Sequence, residues 1–293
     1  MRLDQYLPAV EPELSRTFLR KIIDIGGVSH NGRRIRKCGV DVVCGDVLEV
    51  TLDGLPLIPY RVAADDILYQ DQYLLVLSKP PLVETQPTAA RYKGTLYEAV
   101  LTLLGTDHSR HAQRKPELGM IQRLDRETSG AILFSTHVRA HRPLTQAFSE
   151  RRVEKSYLAL VAGQPPTAER EIVSNLARTR DANRVKSVSY GGKEAVTHYR
   201  VIEQFADTAL LEVKILTGRS HQIRVHLSET GCPILGDSFY GGAVAWHEQD
   251  VPRTMLHSQT LALAHPVSGE MLNCTAPIPA DMSDLLRKIR ALT

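Results

Sequence analysis

Residues 122–135 read QRLDRETSGAILFS. A polar run with one carboxylate between two arginines, Arg123-Leu124-Asp125-Arg126, gives way after Gly130 to the apolar residues 131–135. The apolar stretch has the length and composition of a buried strand. A lone aspartate between arginines has two readings. It is either a salt-bridged turn or a carboxylate kept ionised by nearby guanidinium groups, because an opposite charge at short range favours the charged form. An ionised, positioned carboxylate is a competent nucleophile. A second polar segment, residues 216–226, reads LTGRSHQIRVH. Thr217-Gly218 predicts a turn after a strand, with Arg219 in the turn and a helix opening behind it. His221 and Arg224 are three apart and share a helix face. Guanidinium groups placed there suit a phosphate or a carboxylate.

Strands are expected at 67–77, 131–135, 157–162, 196–202 and 210–215, from their β-branched and aromatic content. Helices are expected at 140–150 and 221–230, the second closed by Gly231 and Pro233. Strands outnumber helices without alternating with them, which predicts an α+β fold. The first fifty residues form a smaller α/β unit. Ser15 is a plausible N-cap for a helix carrying Phe18, Leu19, Ile22 and Ile23 at helical spacing. Gly26-Gly27 stops it, Asn31-Gly32 marks a tight hairpin, and Gly45-Asp46 marks a turn before a strand at 47–50. Gly54, Pro56 and Pro59 read as a linker. The expected division is therefore a small domain at 1–53, a linker at 54–66, and a large domain at 67–293.

With 43% hydrophobic and 24% charged residues, the chain can pack a core without staples. A formal net charge of +3 says little about partners. Its distribution says more: residues 16–37 hold seven cations (Arg16, Arg20, Lys21, Arg33, Arg34, Arg36, Lys37) against a single acid, Asp24. Such a run suits a solvated face or a phosphate-binding surface. The four cysteines form no CxxC pair, so neither zinc nor redox motifs are supported. The histidine pairs His108/His111 and His221/His226 are too loosely spaced to predict a metal. No phosphate loop, dinucleotide fingerprint, HExxH or GxSxG is present, so no cofactor is expected. No apolar run approaches membrane-spanning length. A cytoplasmic protein with reduced thiols and no membrane association is expected.

These segments resemble those of the RluA-type RNA pseudouridine synthases. Residues 122–130 are similar to the family's HRLDxxTSG, with Gln122 in place of the His, and residues 216–227 to its LxTGRxHQIRxHL. In the family's order follow Lys155-Ser156-Tyr157 (KxY), Gly236-Asp237 with Tyr240-Gly241 (GDxxYG), Leu256-His257 and His265-Pro266. The NKPxGxxxHP loop corresponds to residues 78–87, which lack the Gly and carry Gln86 for His. Residues 1–50 resemble an S4 RNA-binding domain through Arg2-Leu3-Asp4, Tyr6-Leu7, Ser15-Arg16, Asn31-Gly32 and Gly45-Asp46-Val47.

The resemblance implies a small S4-type module followed by a mixed, largely antiparallel sheet with flanking helices. It implies isomerisation of uridine in structured RNA, with ribosomal RNA favoured over transfer RNA, by a monomer needing neither metal nor cofactor. Asp125 would be the catalytic carboxylate, attacking ribose C1′ or uracil C6. Arg224 would pair with it, and Tyr157 would pack on the base and help remove the C5 proton. Arg16, Arg20, Lys21, Arg33, Arg34, Arg123 and Arg219 would contact RNA. The substitutions at Gln122, Leu82 and Gln86 motivate a second reading, a catalytically degenerate RNA-binding or assembly factor.

Overall fold

A computed structural model describes residues 1–107, 118–179 and 184–292. The His108/His111 pair lies outside them. The backbone divides into two compact units, residues 1–63 with 83–116 and residues 64–82 with 117–293.

The first unit opens with helix α1 (Leu3–Val10). Helix α2 (Arg16–Ile25) follows; the Ser15 hydroxyl accepts from the Phe18 N–H at its start, and Gly26 ends it in the left-handed region. Strand β1 (Val28–His30) turns through Asn31 and Gly32, both at positive φ, into β2 (Arg33–Arg34). Strand β3 (Leu48–Val50) pairs on the other side of β1, giving the order β2-β1-β3. Leu3, Leu7, Leu19, Ile22, Ile23 and Val28 form the core. Helix α3 (Leu96–Asp107) also belongs here. The domain boundary thus differs from the one read in the sequence, because the described residues 83–107 pack with the N-terminal unit. Tyr92 and Lys93 donate backbone N–H groups to the Ile25 carbonyl at 2.8 and 3.0 Å. Arg91 clamps Asp53 through two nitrogens, so the expected linker is tied down at its start.

The second unit is built on one mixed, mainly antiparallel sheet. Its strands are β4 (Ile67–Gln70), β5 (Leu74–Lys79), β6 (Gly119–Met120), β7 (Ser129–Ser135), β8 (Glu154–Ala162), β9 (Glu169–Arg178), β10 (Val185–Val188), β11 (Lys193–Gln204), β12 (Thr208–Ile215), β15 (Leu256–Ala264) and β16 (Met271–Thr275). A separate two-residue pair, β13 (Ala245–Trp246) and β14 (Gln249–Asp250), completes the numbering. The sheet order is β10-β9-β11-β12-β8-β15-β7-β5-β4, with β16 beside β15 and β6 beside β7. Helices α4 (Val138–Ser149), α5 (Gln222–Glu229) and α6 (Ala280–Leu292) accompany it. The expected single strand at 67–77 is a hairpin instead. The Asp71 carboxylate accepts from the Tyr73 and Leu74 N–H groups at 2.7 Å each and bends the chain there.

One close approach sets the spacing of the central strands. Strand β7 pairs with β15 in parallel, with Ser258 opposite Gly130. Gly130 has φ +108°, and a Cβ built there would lie 2.1 Å from the Ser258 carbonyl oxygen. Only glycine lets these backbones meet so closely. The other edge of β15 pairs with β8, with Ser258 opposite Tyr157. The loop before β7 and the middle of β8 are therefore separated by a single strand. Among the described residues, no helix is long and apolar enough to cross a membrane.

Candidate active site

Asp125 stands in the loop between β6 and β7, whose backbone is gripped on three sides. The Thr128 N–H donates to the Asp125 carbonyl at 3.1 Å. The fully buried Lys79 donates through Nζ to the carbonyls of Pro80 and Arg126, at 2.9 and 3.0 Å. The equally buried Arg253 donates through Nη1 to the Glu127 carbonyl at 3.0 Å, while its Nε and Nη2 clamp Asp281 at the start of α6. Each of these two buried cations thus gives one hydrogen bond to a carbonyl of this loop, Arg126 and Glu127, and so restrains the backbone on the C-terminal side of Asp125.

The partner of Asp125 comes from α5. Arg224 Nη1 donates to Asp125 Oδ2 at 2.9 Å, while Nε and Nη2 bond both oxygens of Asp237 at 2.7 and 2.8 Å. Asp237 is buried and also caps a short turn by accepting from the Tyr240 N–H. One planar guanidinium therefore links two carboxylates, a task for which a lysine, with its three donors on one atom, lacks the spread fork. The two carboxylates raise the Arg224 pKa beyond its already high value, against the opposing effect of burial. Among the described residues, Asp125 Oδ1 has no hydrogen-bond partner.

Each polar residue of the HQIRVH run has an assignment. Gln222 Nε2 donates to the Val196 carbonyl and Thr197 Oγ1, and its Oε1 accepts from Thr217 Oγ1 and the Arg219 N–H. The His226 ring bonds Thr197 Oγ1 at 2.8 Å and Ser174 Oγ at 2.9 Å. These bonds fix α5 to β11 and β9, so its remaining polar face, His221 and Arg224, is aimed at the loop that carries Asp125. His221 Nε2 lies 3.9 Å from Asp125 Oδ2.

Tyr157 lies on β8 and is nearly buried. Burial pushes its phenol up to about 12, and the Asp125 charge adds to the effect. It therefore holds its proton at neutral pH. Arg219 belongs to the same unit, but its Nε is spent on the Glu194 carbonyl at 2.9 Å. Arg123 is exposed.

The basic residues of the first unit are in three different situations. Arg16 and Arg20 both donate to the buried Asp4 carboxylate, together with Arg2. The three guanidinium groups, Arg20 foremost, hold Asp4 well below the usual carboxylate range. Arg34 is turned inward, donating to the Thr88 carbonyl. Lys21 and Arg33 are exposed, and Arg36 lies over the Tyr92 ring, 3.7 Å from its centre.

Sequence reasoning left Asp237, His221, Lys79 and Arg253 out of the site. Asp237 had a signal in the Gly-Asp pair, but the grip on Arg224 spans thirteen residues and depends on the fold. Among the described residues, no group of three or more His, Cys, Asp or Glu is placed to hold a metal.

Known proteins bear on this geometry. A family model described as RNA pseudouridylate synthase matches residues 73–229. A Chloroflexus aurantiacus protein named an uncharacterized RNA pseudouridine synthase is 37% identical over 294 residues, covering 99% of this chain and 90% of that protein. Ribosomal large subunit pseudouridine synthase D of Xanthomonas campestris is 33% identical over 305 residues, covering 99% and 89%. The solved structure of human RNA pseudouridylate synthase domain containing 4 has the same fold, with a TM-score of 0.64 at 24% identity, covering 76% of this chain and 92% of that one. With the family model matching more than half of its length and relatives aligned along nearly all of it, this chain belongs to the RNA pseudouridylate synthase family.

Proposed function

We propose that this pseudouridine synthase acts on uridine in large-subunit ribosomal RNA, with Asp125 as its catalytic carboxylate. The observation that carries the site assignment is the asymmetry of that carboxylate, with Oδ2 held by Arg224 and Oδ1 left unbonded among the described residues. A charged oxygen without a competing donor is the one able to attack ribose C1′ or uracil C6. In the reaction the C1′–N1 bond breaks, the uracil turns, and a C1′–C5 bond forms. The C5 proton then leaves and N1 gains one, so nothing is oxidised or lost. The target base has to leave its stack, at a cost of roughly a few kcal/mol. Tyr157 would pack on the extruded base. Because its phenol is protonated at neutral pH, it would have to hand its own proton on before taking the one from C5.

Ribosomal RNA is favoured over transfer RNA because several relatives matched along their length carry the name ribosomal large subunit pseudouridine synthase D. The N-terminal helix-hairpin unit would serve as an S4-like RNA anchor, with Lys21 and Arg33 as exposed cations. Arg16 and Arg20, half exposed while paired with Asp4, would add charge to the same surface. Arg123 and Arg219 would contribute phosphate contacts near the site, which orient RNA without reading its sequence. The free thiols fit a reducing compartment such as the cytoplasm. The retained Asp125–Arg224 pair speaks against a degenerate RNA-binding factor.

Pseudouridine mapping by carbodiimide modification and primer extension tests the substrate. Large-subunit rRNA and total tRNA from a strain lacking the gene are each treated with the purified protein. A new stop at one or a few rRNA uridines is expected. A stop confined to tRNA would reassign the substrate, and no stop in either would favour the RNA-binding reading.

A further inference from the structure

Among the described residues the ring of His221 makes one hydrogen bond, to Tyr240, yet the residue occupies a costly conformation beside Asp125. It caps α5 at φ +53°, ψ 17°, in the left-handed region that residues with a Cβ rarely enter. Strain of that kind concentrates where a side chain must be held in one direction. The direction here is set by Tyr240. The Val185 N–H donates to the Tyr240 hydroxyl oxygen at 3.0 Å, and His221 Nδ1 lies 2.8 Å from that same oxygen. With the Val185 N–H already donating into the oxygen, the hydroxyl proton is available for Nδ1, which therefore accepts. A neutral ring that accepts at Nδ1 carries its proton at Nε2. Burial keeps the ring neutral by pushing its pKa down, in a setting of charges from Asp125, Arg224, Asp237 and Arg178 that partly offset one another. The ring edges of Phe239 and Tyr240 hold it at 90° and 82°. The Nε2–H is then left facing Asp125 Oδ2 across 3.9 Å.

We propose that His221 is a positioning residue for the isomerisation: its Nε2–H and the Arg224 Nη1–H bracket Asp125 Oδ2, so that Oδ1 alone is presented to the substrate. Tyr240 sets the tautomer on which this depends. At 3.9 Å the separation is longer than a hydrogen bond, and a small rotation of the carboxylate, as one oxygen bonds to the substrate, closes it. The proposal rests on Asp125 being the nucleophile.

The test uses the full-length protein, a large-subunit rRNA transcript carrying tritium at uracil C5, and steady-state kinetics. His221→Phe keeps the ring contacts and removes both nitrogens. Its kcat is expected to fall about 10- to 100-fold, the scale set by misplacing a reacting group, with KM and melting temperature near wild type. His221→Gln, whose amide N–H reaches the Nε2 position, is expected to recover most of the loss. Tyr240→Phe leaves the histidine in place but frees its tautomer, and is expected to lower kcat by a smaller factor. A His221→Phe protein with wild-type kcat would overturn the proposal, as would a Gln variant as slow as the Phe variant. If His221→Phe fails to fold, an unchanged kcat in Tyr240→Phe overturns it. Asp125→Asn is run alongside. Activity in that variant would remove the nucleophile assignment itself, whereas full activity in the His221 variants alone would remove only this proposal.

Discussion

Arg224 shows how a single side chain can be both structural and chemical. Three of its donors reach two carboxylates, the buried Asp237 and the proposed nucleophile Asp125. Removing one partner of a buried pair leaves an uncompensated charge, so the pair resists change whether or not it adds net stability. A second residue near the loop carries a pH dependence. His257 is fully buried between Ser129, whose hydroxyl donates to Nδ1 at 2.9 Å, and the Ala276 carbonyl, which accepts from Nε2 at 3.3 Å. Burial pulls its pKa from 6.5 down to about 4. The unfolded chain therefore takes up a proton near pH 6.5, while the folded chain resists until about pH 4. Stability from this residue is complete above pH 6.5 and falls away as pH drops across that window, by up to about 3 kcal/mol. Urea unfolding at about pH 7 and about pH 4.5 should show that decrease in the native protein and a smaller one in His257→Gln. Equal decreases would show that His257 is not the group responsible.

At the scale of elements, the close approach of β7 and β15 does most to build the site. It sets the Asp125 loop one strand away from Tyr157, and it depends on Gly130. Gly130→Ala should cost about 2–4 kcal/mol in chemical unfolding, from the left-handed backbone and the clash with the Ser258 carbonyl, and activity should fall with it. A cost under about 1 kcal/mol would show that the strands adjust freely. The elements legible in the sequence were those with local signals. Ser15 and Gly26 bound α2, Asn31-Gly32 turned the first hairpin, and the apolar run at 131–135 became a fully buried strand. Others carried none. β15 reads LHSQTLALA, and its polar His257 and Ser258 are buried only because Ser129 and the Ala131 carbonyl bond them from β7. β9 reads EREIVSNLAR and is exposed along most of its length, held by β11 and β10 rather than by apolar burial. α1 contains Pro8, which hides a helix from any reading of propensity.

At the scale of the molecule, the chain is discontinuous in a way its sequence did not announce. The described residues 83–107 leave the sheet unit and pack with the N-terminal one through backbone bonds to Ile25 and the Arg91–Asp53 pair. Such pairings join distant residues and leave no periodic trace. Deleting residues 1–53 would therefore strip partners from a later segment, and point variants test RNA anchoring more cleanly. Lys21→Gln with Arg33→Gln changes two exposed cations without stranding Asp4. The log–log salt slope of rRNA binding should fall by about 0.7–0.9 for each phosphate that these cations neutralise in the native protein. An unchanged slope would remove this surface from RNA binding. The candidate site was more legible than the domain boundary, because Asp125, Tyr157 and Arg224 stand in long ordered motifs. Its supporting shell of Lys79, Arg253 and Asp237 was not, since buried charge is satisfied only in three dimensions. Asp125 is the proposed nucleophile of the isomerisation. The most direct measurement is tritium release to water from rRNA labelled at uracil C5, comparing the native protein with Asp125→Asn at matched RNA occupancy. The account predicts release by the native protein and none by the variant, with RNA affinity retained; release by both would contradict it.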